Sequence, residues 1–328
     1  MRYLKNPSTD PFFNLALDEY AMKHIDEPED FFFLWQNEPS VIIGKNQNTL
    51  EEINQPFIDE RGIHVARRVS GGGAVYHDLG NLNFTFIIGV DDLAKVNFKK
   101  YVQPIIAALK TIGIEAESSG RNDILVNGLK ISGNAQRVAN GKLMHHGTLL
   151  FDENLEDLVN ALNVSPDKIV SKGVKSVRSR VTTIREHLPQ DMDIQRFWDA
   201  LQYYLSNENK DTEIVLSPSQ LEAVAHEADA KFRTWDWVYG TSPAFNFHNA
   251  HRFNGGKVEV YVDVNNGIIK SIRFIGDYLG LHDVALIEEA LKGTRFGKSE
   301  VSDQLSQYQL SEYFGLVTRD DLLQLLFG

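Results

Sequence analysis

The sequence contains no cysteine among its 328 residues. Disulfides, thiolate metal ligands and every mechanism with a cysteine nucleophile are therefore excluded. The sequence also lacks any run approaching the roughly 20 apolar residues that a membrane span requires. No apolar signal core follows Met1. We therefore expect a cytoplasmic protein without a membrane partner.

Net positive charge is missing as well. The 33 basic residues against 45 acidic residues give a net charge of −12, so the surface as a whole repels nucleic acid and anionic lipid. We expect neither as a partner. The composition, 42% hydrophobic and 24% charged, is typical of a soluble globular protein. At about 150 residues per domain, the length suggests about two domains.

Apolar periodicity predicts several elements. Helical spacing covers Phe12 to His24, after a start signal at Asp10-Pro11, and Phe98 to Ile112, where Pro104 predicts a kink or a helix start. Short runs rich in aromatic and β-branched residues predict strands. These runs are residues 31–35, 40–44, 63–69 and 82–88.

The dipeptide Asn127-Gly128 predicts a two-residue hairpin turn. Pairing outward from this turn would set 126 opposite 129, 125 opposite 130, 124 opposite 131 and 123 opposite 132. One face would then be apolar and would face the core. The other face would carry Asp123 and Lys130 on a diagonal, which makes it a candidate site.

Periodicity is lost after Trp235, and strands are predicted again at 257–264 and 268–274, followed by helices at 285–292 and 319–327. We therefore expect a domain boundary near 245–251. The first domain would cover 1–245, and a small α+β domain would cover 252–328.

The segment from Arg67 to Asp78 carries the densest chemical signal, with three glycines at 71–73 between two predicted strands. Such glycines let the backbone approach a ligand, and Arg67 and Arg68 supply forked donors for a carboxylate or phosphate. The segment is therefore a candidate ligand cradle. The alternative is an ordinary glycine hairpin with surface arginines.

Two further segments have weaker signals. Residues 168–185 carry six basic side chains, which indicates either a lid that closes on phosphates or a solvated charged loop. His145 and His146 precede an apolar run. They lack further ligands at metal-binding spacing, so packing or a ligand wall is favoured over a metal site.

These segments, in this order, resemble the lipoate-protein ligase family over nearly the whole chain. The matching residues are 14–19, 43–48, 67–78, 121–123, 130–133, 145–150, 172–173 and 176–181, with 243–245 and 255–259 in the second domain. The resemblance implies an α+β fold. Its large domain has a mixed β-sheet flanked by helices, like biotin ligases and class II tRNA synthetases, and a small C-terminal accessory domain follows.

The resemblance also implies a two-step reaction. Lipoate and ATP, with Mg²⁺, form lipoyl-AMP and pyrophosphate. A lysine of an apo lipoyl domain of a 2-oxoacid dehydrogenase E2 subunit, or of the glycine-cleavage H protein, then accepts the lipoyl group. We expect a monomer.

The resemblance assigns candidate roles to individual residues. Lys130 is the catalytic candidate, because a fixed cation would offset the repulsion between the lipoate carboxylate and the α-phosphate. Asp123 is the candidate Mg²⁺ ligand. Lipoate-binding candidates are Arg68, Ser70, Gly73, Ala74, Val75 and His146. Candidates for ATP or adenylate are Arg68, Gly73, Val75, Tyr76, Asn122, Asp123, Lys130, Gly133, Arg137, Ser179, Val181 and Thr182.

Alternatives remain at this point. Related acyltransferases on this scaffold hold the acyl group on a cysteine, and this chain has none. A ligase for biotin or another fatty acid would use the same scaffold. A lipoate sensor, or a module that docks lipoyl domains, would keep the pocket without turnover.

Overall fold

The computed structural model describes residues 1–47, 49–90, 98–119, 122–162, 180–206, 213–239, 247–265 and 267–327. The strands in this part of the chain are β1 (Arg2–Leu4), β2 (Phe31–Trp35), β3 (Ser40–Ile43), β4 (His64–Arg67), β5 (Val75–His77), β6 (Asn81–Gly89), β7 (Glu117–Ser118), β8 (Asp123–Val126), β9 (Leu129–Ala139), β10 (Lys142–Leu150), β11 (Glu213–Ile214), β12 (Phe247–Phe253), β13 (Gly256–Asn265) and β14 (Ile268–Gly276).

The α-helices are α1 (Pro11–His24), α2 (Thr49–Glu52), α3 (Gln55–Arg61), α4 (Phe98–Thr111), α5 (Leu155–Ala161), α6 (Ile194–Leu205), α7 (Pro218–Glu227), α8 (Trp235–Val238), α9 (Ala285–Leu291), α10 (Lys298–Leu305), α11 (Ser311–Phe314) and α12 (Arg319–Phe327). In the described ranges, no helix combines the length and the apolarity that a membrane crossing needs.

The largest sheet has eight strands in the order β11-β1-β2-β6-β10-β9-β8-β7. Its central strands pair antiparallel, whereas β1 pairs parallel with both β2 and β11. The sheet is therefore mixed, and helices pack on it. This confirms the expected α+β fold class.

Both faces of this sheet are buried, each against its own set of helices. Phe84 and Phe86 of β6 pack with α4 and α6 on one face. On the other face, Phe33 and Trp35 of β2 pack with α1 and α7. The polar residues Asn81, Asn83 and Thr85 of β6 are buried as well. The alternation in this strand therefore does not separate a core face from a solvent face.

A second, three-stranded sheet has the order β4-β3-β5. Strand β3 pairs parallel with β4 and antiparallel with β5. The glycine-rich segment connects the two outer strands, which do not pair with each other. The alternative of an ordinary glycine hairpin is therefore wrong.

The hairpin turn at Asn127-Gly128 is confirmed, since both residues have the positive φ that this turn requires. The predicted register holds for two pairs and then fails. A bulge shifts the pairing so that Ile124 lies opposite Ser132 and Asp123 opposite Gly133. A bulge inserts one residue into one strand, and no sequence pattern here marked it.

Two helix starts were predicted with different success. Helix α1 begins at Pro11, and the Asp10 side chain caps it by accepting from the Phe12 N–H. In contrast, α4 runs through Pro104 from Phe98, so the proline does not start the helix.

The C-terminal part has its own apolar core between the sheet β12-β13-β14 and helices α9 to α12. It contacts the first part through backbone bonds. The Gly72 N–H donates to the Tyr278 carbonyl (3.3 Å), and the Val138 N–H donates to the Leu281 carbonyl (3.1 Å). The Tyr278–Leu281 segment therefore directly supports the glycine loop.

Candidate active site

Two rows of side chains on one face of the large sheet form the wall of a cavity. In the first row, Asn83 of β6 lies opposite both Trp35 of β2 and Thr148 of β10. In the second row, Thr85 lies opposite His146. Successive residues on one face of a strand are about 6.6 Å apart, since a strand rises about 3.3 Å per residue. The rows therefore mark two levels of the cavity.

The cavity has a volume of about 120 Å³. Its opposite side is formed by α1 and by the small sheet with its glycine loop. The apolar side chains that line it are Leu15, Trp35, Ile42, Ala74, Val75 and Ala135. A narrow, mainly apolar cavity of this kind can hold an alkyl chain.

The glycine loop borders this cavity, since Gly72, Gly73, Ala74 and Val75 all contribute to the wall. Gly72 has a φ of +92°, which only glycine adopts readily. Gly44 lets the loop approach closely, because a Cβ there would overlap the Gly72 carbonyl. The backbone can therefore come near a ligand at this point.

The two arginines act differently from the expectation. Arg68 donates to the carbonyl oxygens of Gly71 (2.7 Å) and Gly73 (2.8 Å). Arg67 donates to the carbonyls of Gln47 and Val238. Burial lowers the pKa of both side chains to about 10. The forked donors expected for a ligand anion instead shape the loop itself, although Arg68 still borders the cavity.

Ser70, His146 and Asp18 form a hydrogen-bonded chain. Ser70 Oγ lies 2.6 Å from His146 Nε2, and His146 Nδ1 lies 2.8 Å from Asp18 Oδ2. Arg68 Nε also donates to Ser70 Oγ (3.2 Å). Asp18 Oδ1 accepts from Thr85 (2.7 Å). These contacts fix the orientation of His146 in the cavity wall. The Ser70 hydroxyl contacts His146 and Arg68, and Ser70 is not among the residues that line the cavity.

Lys130 lies at the cavity edge, together with Asn122 and Gly133. Its ammonium is 2.8 Å from Asp123 Oδ1, and both side chains are about one third exposed. The backbone of Lys130 pairs with the neighbouring segment, donating to the Arg180 carbonyl and accepting from the Thr182 N–H. The backbone of Lys130 is therefore held in place, whereas its partly exposed ammonium can leave Asp123 for another partner.

Four predicted site residues lie elsewhere. The Tyr76 side chain packs in the core cluster beyond the small sheet, because β5 alternation directs Val75 and His77 to the cavity. Thr182 Oγ1 donates to Glu186 (2.8 Å), and Val181 borders a different cavity. Arg137 donates to the Val69 carbonyl (2.8 Å). In this structure, none of the four side chains lines the 120 Å³ cavity.

Ser179 and most of the basic segment 168–185 lie outside the described residues. The lid hypothesis therefore stays a prediction. Within the described part of that segment, Arg185 pairs with Asp152 and Asp191 and not with the cavity.

The structure offers little support for a metal site made of protein side chains alone. The described ranges contain no group of three or more His, Asp or Glu side chains that could hold a metal ion. Asp123 supplies one hard oxygen donor at the edge of the cavity. Mg²⁺ commonly binds through one or two carboxylates plus substrate phosphates, so Asp123 fits such an ion only together with a phosphate ligand.

No role was predicted for Asp18, His77 or Asn83, yet all three contribute to the cavity or its support. Asp18 lies in the 14–19 motif, and its burial could not be predicted from the sequence. His77 and Asn83 line the cavity. The alternation in β6 predicted a strand, but it could not show that other elements cover both faces and bury the polar residues.

A second, larger cavity of about 920 Å³ lies beyond the end of β10. Asp78 and Glu153 contribute to its lining. Burial, followed by the negative charge of Asp78, raises the pKa of the Glu153 carboxyl well above its ordinary value. An acidic lining disfavours a polyphosphate, so we assign the chemistry to the smaller cavity.

Comparison with known proteins gives a consistent result. Residues 10–206 match the lipoyl protein ligase A/B catalytic domain, and residues 242–326 match the bacterial lipoate protein ligase C-terminus. The lipoate-protein ligase LplJ of Bacillus subtilis is 44% identical over 100% of both chains. The lipoate complex of P. falciparum LipL1 superposes with a TM-score of 0.81 at 30% identity, covering 98% of each chain.

Two further solved structures are similar over about three quarters of this chain. A bi-partite lipoate protein ligase from Thermoplasma acidophilum, described with its E2 lipoyl domain, has a TM-score of 0.63 and 26% identity, covering 75% of this chain and 98% of that one. A lipoate-protein ligase A bound with ATP has a TM-score of 0.60 and 25% identity, covering 73% and 98%.

Proposed function

Because the chain belongs to the lipoate-protein ligase family, whose members are ATP-dependent ligases, we propose that it makes lipoyl-AMP and transfers the lipoyl group to a lysine. The observation that carries the proposal is the Lys130 ammonium at the edge of a narrow apolar cavity. The acceptor would be an apo lipoyl domain of a 2-oxoacid dehydrogenase E2 subunit or the glycine-cleavage H protein. The E2 lipoyl domain described with a similar ligase supports the first choice.

The proposed first step joins two anions. A lipoate carboxylate oxygen attacks the α-phosphorus of ATP, and pyrophosphate leaves with the electron pair of the broken P–O bond. Lys130 would stabilise both partners when its ammonium moves from Asp123 to the ligand oxygens. The backbone of Gly72 and Gly73 would border the acyl chain, with His146 on the opposite wall.

In the proposed second step, the acceptor lysine attacks the acyl carbon as a free amine. A C–N bond forms, the C–O bond to AMP breaks, and AMP leaves with that electron pair. The amine proton passes to solvent. Adenylate chemistry requires no enzyme thiol, which agrees with the lack of cysteine.

Mg²⁺ would accompany the nucleotide in this proposal. The ion would neutralise phosphate charge, with Asp123 as the protein ligand. Asp123 would then exchange Lys130 for the metal, which releases the ammonium for the substrate. The 2.8 Å pairing of the two side chains supports a linked exchange.

The decisive experiment incubates the protein with ATP, MgCl₂, lipoate and purified apo acceptors, and measures acylation by intact mass. We expect a mass gain of one lipoyl group on at least one acceptor. Parallel reactions with biotin and octanoate identify the preferred acid. Lipoate binding without a mass gain on any acceptor would favour a sensor and contradict the proposal.

We also propose a monomer with domains 1–245 and 252–328, located in the cytoplasm, where ATP is supplied. Strand β12 pairs with β13 from Phe247 onward, so the second domain would include all of β12 and begin before residue 252. The separate core cluster of the C-terminal part supports the division. Limited proteolysis should cut between the two domains first, and sedimentation should give the mass of one 37.1 kDa chain.

A further inference from the structure

Two buried nitrogen atoms in the cavity wall have no hydrogen-bond partner within the described residues. They are His77 Nε2 and Asn83 Nδ2. Buried donors without partners are costly and uncommon in folded proteins. Their shared position in the wall of one small cavity therefore indicates that both serve a ligand.

Surrounding side chains fix the orientation of His77. Asn14 Nδ2 donates to the Gln36 carbonyl (2.8 Å) and to Asn37 Oδ1 (2.9 Å). The Asn37 amide nitrogen must then face His77 Nδ1, which lies 3.0 Å away. His77 Nδ1 is therefore the acceptor, and Nε2 carries the proton as a donor.

For Asn83, one bond gives the orientation of the amide: its Oδ1 accepts from Asn81 Nδ2 (3.0 Å), which leaves its own Nδ2 as the free donor. Burial, followed by the nearby guanidinium of Arg68, lowers the pKa of His77 to about 3. Both groups are thus uncharged donors near neutral pH.

The sheet register places Asn83 at the level of the Lys130 ammonium. Asn83 lies opposite Thr148, whose Oγ1 accepts from the Gly133 N–H (3.1 Å). The ammonium of Lys130 is 3.0 Å from the position that a Cβ on Gly133 would take. The His146 level lies about 6.6 Å away along the strands. Asn83 is therefore at the end of the cavity that would hold the carboxyl group of the acid.

We propose that His77 Nε2 and Asn83 Nδ2 bind the acyl oxygen of the activated acid and stabilise the oxyanion formed during transfer. This inference rests on the proposed function. When the acceptor amine bonds to the acyl carbon, the carbonyl π pair moves onto that oxygen, and it returns when AMP leaves. Prearranged neutral donors stabilise the negative oxygen more than the carbonyl, and therefore accelerate transfer.

The test separates the two steps of the reaction. His77→Phe and Asn83→Leu each remove one donor with little change in volume. We expect single-turnover transfer from purified lipoyl-AMP to an apo lipoyl domain to fall roughly 10²-fold in each variant. ATP–pyrophosphate exchange and the KM for lipoate should stay within about threefold. His77→Gln, which keeps an N–H donor, should recover part of the rate.

His145→Phe provides the matched control. His145 is also buried, with its pKa lowered to about 3 by burial and His146, and its Nε2 also lacks a partner within the described part of the chain. It lies on the opposite face of the sheet, among the rings of Phe84, Phe86, Phe98 and Tyr101. We expect its loss to lower stability and leave the transfer rate per folded molecule unchanged.

Specific outcomes overturn the inference. Transfer rates within threefold of wild type in both cavity variants would do so. Equal losses in exchange and transfer, or an equal loss in His145→Phe, would assign His77 and Asn83 to structure alone. Failure of the wild-type protein to acylate any acceptor would instead contradict the proposed function.

Discussion

Adjacent residues of β10, His145 and His146, lie on opposite faces of the same sheet and have different surroundings. His145 is enclosed by four aromatic rings on the face covered by α4 and α6. His146 contacts Ser70 and Asp18 and forms part of a cavity on the other face. The two faces are equally buried, so burial alone does not identify the functional one. The distinguishing feature is a set of polar groups that converge on an apolar cavity.

The largest effect should come from the cation at the edge of the cavity face. We expect Lys130→Ala to reduce ATP–pyrophosphate exchange by about 10³-fold or more, equivalent to about 4 kcal/mol. The thermal midpoint should change little, because Lys130 is about one third exposed. His146→Ala should reduce exchange less. Undiminished exchange in Lys130→Ala would remove Lys130 from its proposed role.

Substitutions on the opposite face, which α4 and α6 cover, should lower the stability of the fold and leave the reaction rate unchanged. Phe197 of α6 is fully buried and stacks on Phe151 with the ring centroids 4.6 Å apart. We expect Phe197→Ala to lower the free energy of unfolding by about 3–4 kcal/mol, measured by urea titration. Activity per folded molecule should be unchanged. A selective loss of transfer would show that the two faces are not functionally separate.

The Asp18–His146 pair tests whether the cavity face also depends on buried polar contacts. Asp18→Asn removes a charged acceptor whose two oxygens contact Thr85 and His146. We expect a loss of about 1.5–3 kcal/mol in unfolding free energy, together with a higher KM for lipoate. Asp26→Asn is the control, because Asp26 is 99% exposed and should change stability by less than about 0.5 kcal/mol.

The smallest effect is expected at Glu153, which lines the second cavity and not either face of the large sheet. Burial raises its pKa, so the folded state keeps the proton while the unfolded state releases it as the pH rises. The stability contribution is present below the unfolded pKa and is lost at higher pH. We expect Glu153→Gln to stabilise the protein by about 1 kcal/mol at pH 7 and to have no effect near pH 4. A gain that is independent of pH, measured by urea titration, would contradict this assignment.

Several features of the fold could be predicted from the sequence because they depend on local geometry. The start of α1 follows from the cap at Asp10 and from Pro11, and the hairpin turn follows from Asn127-Gly128. The register beyond that turn could not be predicted, because the bulge after Ile124 depends on neighbouring strands. The family resemblance placed Lys130 and the glycine loop at one site, and in the structure both border the same cavity.

The polar part of the site was harder to predict because its contacts are distant along the chain. Arg68 was expected to face a ligand. It instead donates hydrogen bonds to carbonyl oxygens of the glycine loop, which come together only in the folded chain. The alternation around Asn83 predicted a strand and did not show that this side chain lines a cavity. Its burial depends on α1 and the small sheet, which no local pattern of β6 encodes.

The backbone bonds from Gly72 and Val138 to Tyr278 and Leu281 have a consequence for splitting the gene. If the protein were produced as two polypeptides, divided between Tyr239 and Phe247, the amide of a loop that borders the cavity would lose its partner until the fragments associated. The activity of such a split enzyme should therefore depend on fragment concentration, and the second fragment should behave as an activator with a measurable dissociation constant.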